Sequence, residues 1–231
     1  MIFDIKYLII LGVCMLLSWI VSSRLKRKFA MYSRVPVNLS GKEIAERMLA
    51  ENGIHDVQVI STPGQLTDHY NPLKKTVNLS EPVYHMRTVA AAAVAAHECG
   101  HAVQHAKAYA PLKMRSALVP IVGFASNFVQ WILIAGIIML GLGATGGMAV
   151  AIVGVCLFGA TTLFALITLP VEFDASNRAL VWLDKSGQAF GQEQRMAKDA
   201  LNAAAMTYVV AAIASLAQLA YWIMHILAAR D

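Results

Sequence analysis

The sequence predicts a multi-pass α-helical membrane protein of about four transmembrane helices, joined to a small α+β domain that carries an H-E-x-x-H helix. Three observations carry this. Hydrophobic residues make up 58% of the 231 and charged residues only 14%, against about a quarter charged in soluble domains. The charges are also segregated, since no Asp, Glu, Lys or Arg occurs from Ser116 to Val171. Outside the apolar stretches, "AAHECGH", Ala95 to His101, sets two histidines and a glutamate beside an alanine run.

The first span is Ile2 to Val21, within an N-terminal anchor over residues 1–23. It reads as uncleaved, because no A-x-A-like site accompanies it and its basic cluster follows the apolar run. That cluster, "RLKRKFAMYSR", holds Arg24, Lys26, Arg27, Lys28 and Arg34 without an acid. The positive-inside rule places it in the cytoplasm and the N-terminus outside. Because it abuts a span, its partner is the anionic surface of the lipid bilayer, not nucleic acid.

Residues 24–115 form the cytoplasmic domain. Ser40 and Glu43 make a capping box that opens a helix through Ile44, Met48 and Leu49, and Asn52 and Gly53 end it. Val57–Ile60 and Lys75–Ser80 are β-branched runs, read as two strands of a small sheet on either side of the turn-rich "STPGQLTDHYNP". A helix follows from about Arg87 to Ala106.

A span needs about 20 apolar residues, so 116–169 is long enough for a hairpin of two, turning at Gly141–Gly147. Residues 170–199 then return inside, with Arg178, Lys185, Arg195 and Lys198 agreeing in sign, and 200–231 form the last span with the C-terminus outside. The net charge of +5 therefore sets orientation. Cys14 and Cys156 fall in spans and Cys99 in the motif, which suggests no disulfide framework. Asn127, Gln130, Gln218 and His225 lie in spans, where hydrogen bonding between helices is the common use, and Gly154 and Gly159 suit close packing.

On a helix, His97 and His101 are one turn apart on one face and can reach a single Zn²⁺, with Glu98 beside them to take a proton from water. A purely structural histidine pair would leave that glutamate as an uncompensated cost. A catalytic zinc needs a third protein ligand. His105 continues the row, but three successive turns at a 5.4 Å pitch spread their side chains over roughly 10 Å and cannot close a tetrahedron. It suits an outer position better. Glu172, in "LPVEFDASNRAL", is the first charge after the hairpin, which returns it to the side of the two histidines. It stands at the start of the helix expected after Pro170, so Glu172 and Asp174 could instead serve the helix dipole. Asp174 is an alternative ligand or, like Ser176 and His105, a candidate to support the ligands from outside.

"AVAAHECGHAVQHA" followed across a hairpin by "LPVEFDASNRAL", together with "GQLTDHYNPLKKTVNLSEPVYHM", resembles the neutral zinc metallopeptidase family of the YugP type. These are bacterial membrane proteins distantly similar to the HtpX-like and CAAX prenyl endopeptidases. The resemblance implies a zincin-like domain of gluzincin type in the cell membrane, with one Zn²⁺ per chain. It implies His97, His101 and Glu172 as ligands and Glu98 as catalytic base. The substrate would be a peptide or protein, soluble or membrane-associated; no oligomeric state is implied. HtpX-like enzymes carry an Asp four residues after the ligand Glu, where this chain has Ser176, so the group that orients the ligands on this side stays open. For an oxyanion or substrate donor the candidates are His69, Tyr70, Tyr84, His85 and Arg178, each equally a surface or packing residue. "KTVNLS" is either a sheet edge for an extended substrate or an interior strand. Two rival classes remain: a site-2-type intramembrane protease drawing a ligand from Asp184, and a zinc-binding sensor, scaffold or transporter without catalysis.

Overall fold

A computed structural model describes residues 4–228. The start of the predicted first span at Ile2 and the terminal Ala229–Asp231 lie outside the described residues. The order is α1 (Ile5–Tyr32), α2 (Gly41–Glu51), β1 (Gln58–Thr62), β2 (His69–Asn71), β3 (Thr76–Ser80), α3 (Glu81–His85), α4 (Val89–Ala106), α5 (Ala110–Gly141), α6 (Gly147–Lys185) and α7 (Gln192–Ala228). Among the described residues, α1, α5, α6 and α7 are long and apolar enough to cross a membrane. Their apolar side chains face outward, as Leu16, Trp19, Trp131, Ile152 and Leu163 do, which suits hydrocarbon as solvent.

The chain forms two compact units. The first takes residues up to Ile20, Met114–Leu169 and those from Thr207 on. Tyr7, Val129, Leu133, Ile137, Tyr221 and Trp222 form its core. α5 and α6 approach closely where a Cβ on Gly136 would lie 2.6 Å from the Ala151 nitrogen and one on Gly154 would lie 2.8 Å from Leu133. Gly159, expected to do the same, faces open space. The turn expected at Gly141–Gly147 is present, with Gly143 and Gly146 at φ of 65° and 88°. Asn127 and Gln218 do not bond across helices as expected. Each amide donates to a carbonyl of its own helix, Gly123 and Ala214, because a side chain four residues on can reach that acceptor unaided. Among the described residues, Thr162 of α6 and Ser215 of α7 do bond across helices, at 2.7 Å.

The second unit takes Val21–Lys113 and Pro170–Met206. Ser40 closes both halves of the capping box on α2, and Ile44, Met48 and Leu49 turn inward with Val77, Leu79 and the alanines of α4. The sheet has three strands in the order β1-β3-β2, β1 parallel and β2 antiparallel to β3. β2 arises inside the stretch read as turns, which is too rich in Gly and Pro for a three-residue strand to show by alternation. β3 pairs on both sides and is buried throughout. Of the two readings of Lys75–Ser80, the interior strand is the one the structure contains, not a free edge for substrate.

α6 continues through Pro170, so Glu172 is not at a helix start as expected and owes nothing to a helix N-terminus. A proline removes one backbone bond and usually kinks or ends a helix, yet in long apolar helices the freed groups are often re-satisfied locally. α5 likewise runs from Ala110 through Pro120. The interruption before the last helix lies at 186–191, with Gly187 and Gly191 at positive φ.

Candidate metal centre

Thr88 caps α4 by accepting the Ala91 N–H. Ala90–Ala93, Ala95 and Ala96 are then buried almost completely, since a methyl-sized side chain lets α2, α3 and the sheet close around the helix. One turn later that buried face carries Glu98 and His101, each 8% exposed, while α6 brings Glu172 at 3%. Ionised groups so buried cost several kcal/mol each, by order of magnitude, unless opposite charge meets them.

His97 Nε2 lies 3.4 Å and His101 Nε2 3.6 Å from the same oxygen of Glu172, Oε2. That oxygen is buried and makes no hydrogen bond. Among the described residues, His97, His101 and Glu172 form a group whose donor atoms all lie within 4.8 Å of one another. The imidazole rings stand nearly perpendicular, centroids 4.8 Å apart. Burial pulls the His101 imidazole down, but the Glu172 and Glu98 carboxylates and Gln104 lift it by more, so it lies above the ordinary histidine value. The site favours a cation. Two imidazole nitrogens and a carboxylate are a donor set that zinc accepts, with a fourth position left for water or substrate.

The approach of α6 depends on Gly100, where an added Cβ would lie 2.5 Å from the Ala175 carbonyl oxygen. Around the three donors, Ser176 Oγ is 3.1 Å from His97 Nδ1. His101 Nδ1 meets Gln104 Oε1 at 3.1 Å. Gln104 Nε2 donates to the Val171 carbonyl at 2.7 Å and to Asp174 Oδ2 at 2.8 Å. Arg178 closes the set, donating to Asp174 at 2.6 Å and lying over the Tyr109 ring at 5.8 Å. Ser176 thus stands at the position left open, and Asp174 is an outer group rather than a member of the triad. Gln104 was missed. Its spacing, three residues after His101 on the same helix, was the available signal.

His105 points away, its Nδ1 2.8 Å from the Tyr70 hydroxyl. His69 is exposed and bonds the Thr67 carbonyl. Tyr84 and His85 pack edge to face on α3, with Lys42 over the Tyr84 ring. Asp184 is exposed and stands outside the triad.

The family model described as "Putative neutral zinc metallopeptidase" matches residues 7–227. The chain is 41% identical over 217 residues to the "Putative membrane protease YugP" of Bacillus subtilis (strain 168), covering 93% of this chain and 94% of that protein. No solved structure matches.

Proposed function

The chain belongs to the neutral zinc metallopeptidase family, and on that premise we propose that it is a membrane-embedded, zinc-dependent peptidase of gluzincin type. His97, His101 and Glu172 hold one zinc per chain, Glu98 is the general base, and the second compact unit is a zincin-like domain. The observation that carries this is the buried, unbonded Glu172 oxygen facing two imidazole nitrogens. A zinc ion held by His97, His101 and Glu172 would supply Lewis acidity toward a peptide carbonyl and lower the pKa of water. Glu98 takes the proton of the attacking water and returns it to the departing amine. Burial of Glu98 and His101 keeps competing water away and strengthens each electrostatic interaction.

The substrate is a peptide or protein, soluble or membrane-associated. The domain lies on the cytoplasmic side of the bacterial cell membrane with both termini outside. The cations from Arg24 to Arg34 and the uncharged Gly141–Gly147 turn support that orientation. The exposed position of Asp184 and the absence of α4 from the membrane-length helices favour this reading over a site-2-type intramembrane protease.

Replacement of Glu98 by Gln tests it. Peptide hydrolysis should fall by about two to four orders of magnitude, as loss of a general base does, while zinc per chain stays at about one. Full activity in that variant would exclude Glu98 as the base, and zinc-free wild-type protein would remove the enzyme reading.

A further inference from the structure

We propose that Gln104 is a positioning residue that fixes the tautomer of His101 and ties together the two helices that carry the metal-binding donors; this rests on the zinc reading above. A glutamine offers two N–H donors and one acceptor oxygen, and its two ends are told apart only by their partners. Here the assignment is forced. The Val171 carbonyl and the Asp174 carboxylate, 2.7 Å and 2.8 Å from Nε2, accept hydrogen bonds, and Asp174 is itself bound by Arg178 as an acceptor. Both N–H groups of Gln104 are therefore committed to α6. Only Oε1 is left to face His101 Nδ1, at 3.1 Å, and an amide oxygen cannot donate.

His101 Nδ1 must then carry hydrogen and donate it to Gln104. In the neutral ring this leaves Nε2 as a lone pair, the form a metal ligand needs, on the side where Glu172 Oε2 lies 3.6 Å away. The same side chain holds α6 on both sides of Glu172, at Val171 one residue before and Asp174 two residues after. Gln104 is 0% exposed, so its hydrogen bonds are made away from solvent. His97 lacks such a one-way support. Its Nδ1 meets a serine hydroxyl, which can donate or accept and so accommodates either tautomer.

The test compares metal binding by full-length protein in detergent, stripped of metal and titrated with zinc against a chromophoric chelator, and with Co²⁺ for its visible spectrum. Gln104→Met should weaken zinc binding by about 10- to 100-fold, the usual cost of losing an outer partner, and alter the Co²⁺ absorption. Gln104→Glu should weaken it comparably, since a carboxylate can donate neither to the Val171 carbonyl nor to Asp174. Adding Asp174→Asn to Gln104→Glu should recover part of that loss, because the new amide at 174 donates to the carboxylate at 104, while the Val171 carbonyl still lacks its donor. Wild-type affinity in both single variants would overturn the role, as would a double variant no better than Gln104→Glu alone. Should Gln104→Met not fold, the Glu and Asn pair decides. Zinc-free wild type would sink the peptidase reading and this role together, whereas zinc-loaded wild type with unaffected variants would sink this role alone.

Discussion

The two halves of α6 belong to one helix and obey different rules. From Gly147 to Leu169 it has no charge and exposes Ile152, Val153, Leu163 and Leu166. From Pro170 to Lys185 it buries Val171, Glu172, Ala175, Ser176, Ala179 and Leu183, a stripe at helical spacing, and exposes Phe173 and Val181. The outward side chains of the first half need only be apolar, since lipid tails do not distinguish one aliphatic residue from another; only its inner face, with Ala151, Gly154 and Thr162, meets particular neighbours. In the second half each buried position has a particular neighbour. Ala175 admits Gly100, Ser176 meets His97, and Glu172 meets both imidazoles. Composition specifies the outward face of the one; position specifies the buried stripe of the other.

This contrast can be broken most sharply at Glu172. Glu172→Ala should take zinc from about one per chain to below detection by elemental analysis and remove peptide hydrolysis with it; retained zinc would exclude it as a ligand. Gly100→Ala comes next. The substitution gains about 1 kcal/mol of helix propensity, but its Cβ would meet a backbone carbonyl at 2.5 Å, and overpacking costs about 1–3 kcal/mol, more where backbone must move. The clash wins. Thermal melting should move down and zinc binding weaken, and an unchanged melt would show that α4 and α6 are not held this close.

Ser176→Ala should cost less, about tenfold in zinc affinity measured by chelator competition, because His97 keeps its place on α4 when the hydroxyl is gone. No change there would leave His97 oriented by its packing alone. The smallest effect should come from the apolar half: Ile152→Leu should alter stability by less than about 0.5 kcal/mol and leave zinc affinity unaltered. A marked loss would mean that this half, too, is specified by position.

Much of the plan was legible in the chain. Four long apolar runs, a Gly-rich turn, a Ser40–Glu43 capping box and an alanine-rich helix carrying His97, Glu98 and His101 are local features, and the structure contains each. Glu172 could be singled out by counting crossings, although its supposed place at a helix start was wrong because α6 does not stop at Pro170. Less legible was what depends on neighbours distant in sequence. β2 is too short to show alternation, and β3 is interior only because β1 and β2 both pair with it. Asn127 and Gln218 carried no sign that their own helices would satisfy them.

By itself, then, the sequence determined what periodicity and composition can encode: where helices run, which are apolar enough for a bilayer, and that two imidazoles and a carboxylate share one turn of α4. Only the tertiary structure decided which oxygen those imidazoles face, that Gly100 lets α6 reach them, and that Gln104 and Ser176 lie 3.1 Å from their Nδ1 atoms. The physical reason is range. A helix pattern is written within a few residues, whereas a metal-binding geometry depends on tenths of an ångström between segments some seventy residues apart, such as Gln104 and Asp174 with their separation of 70.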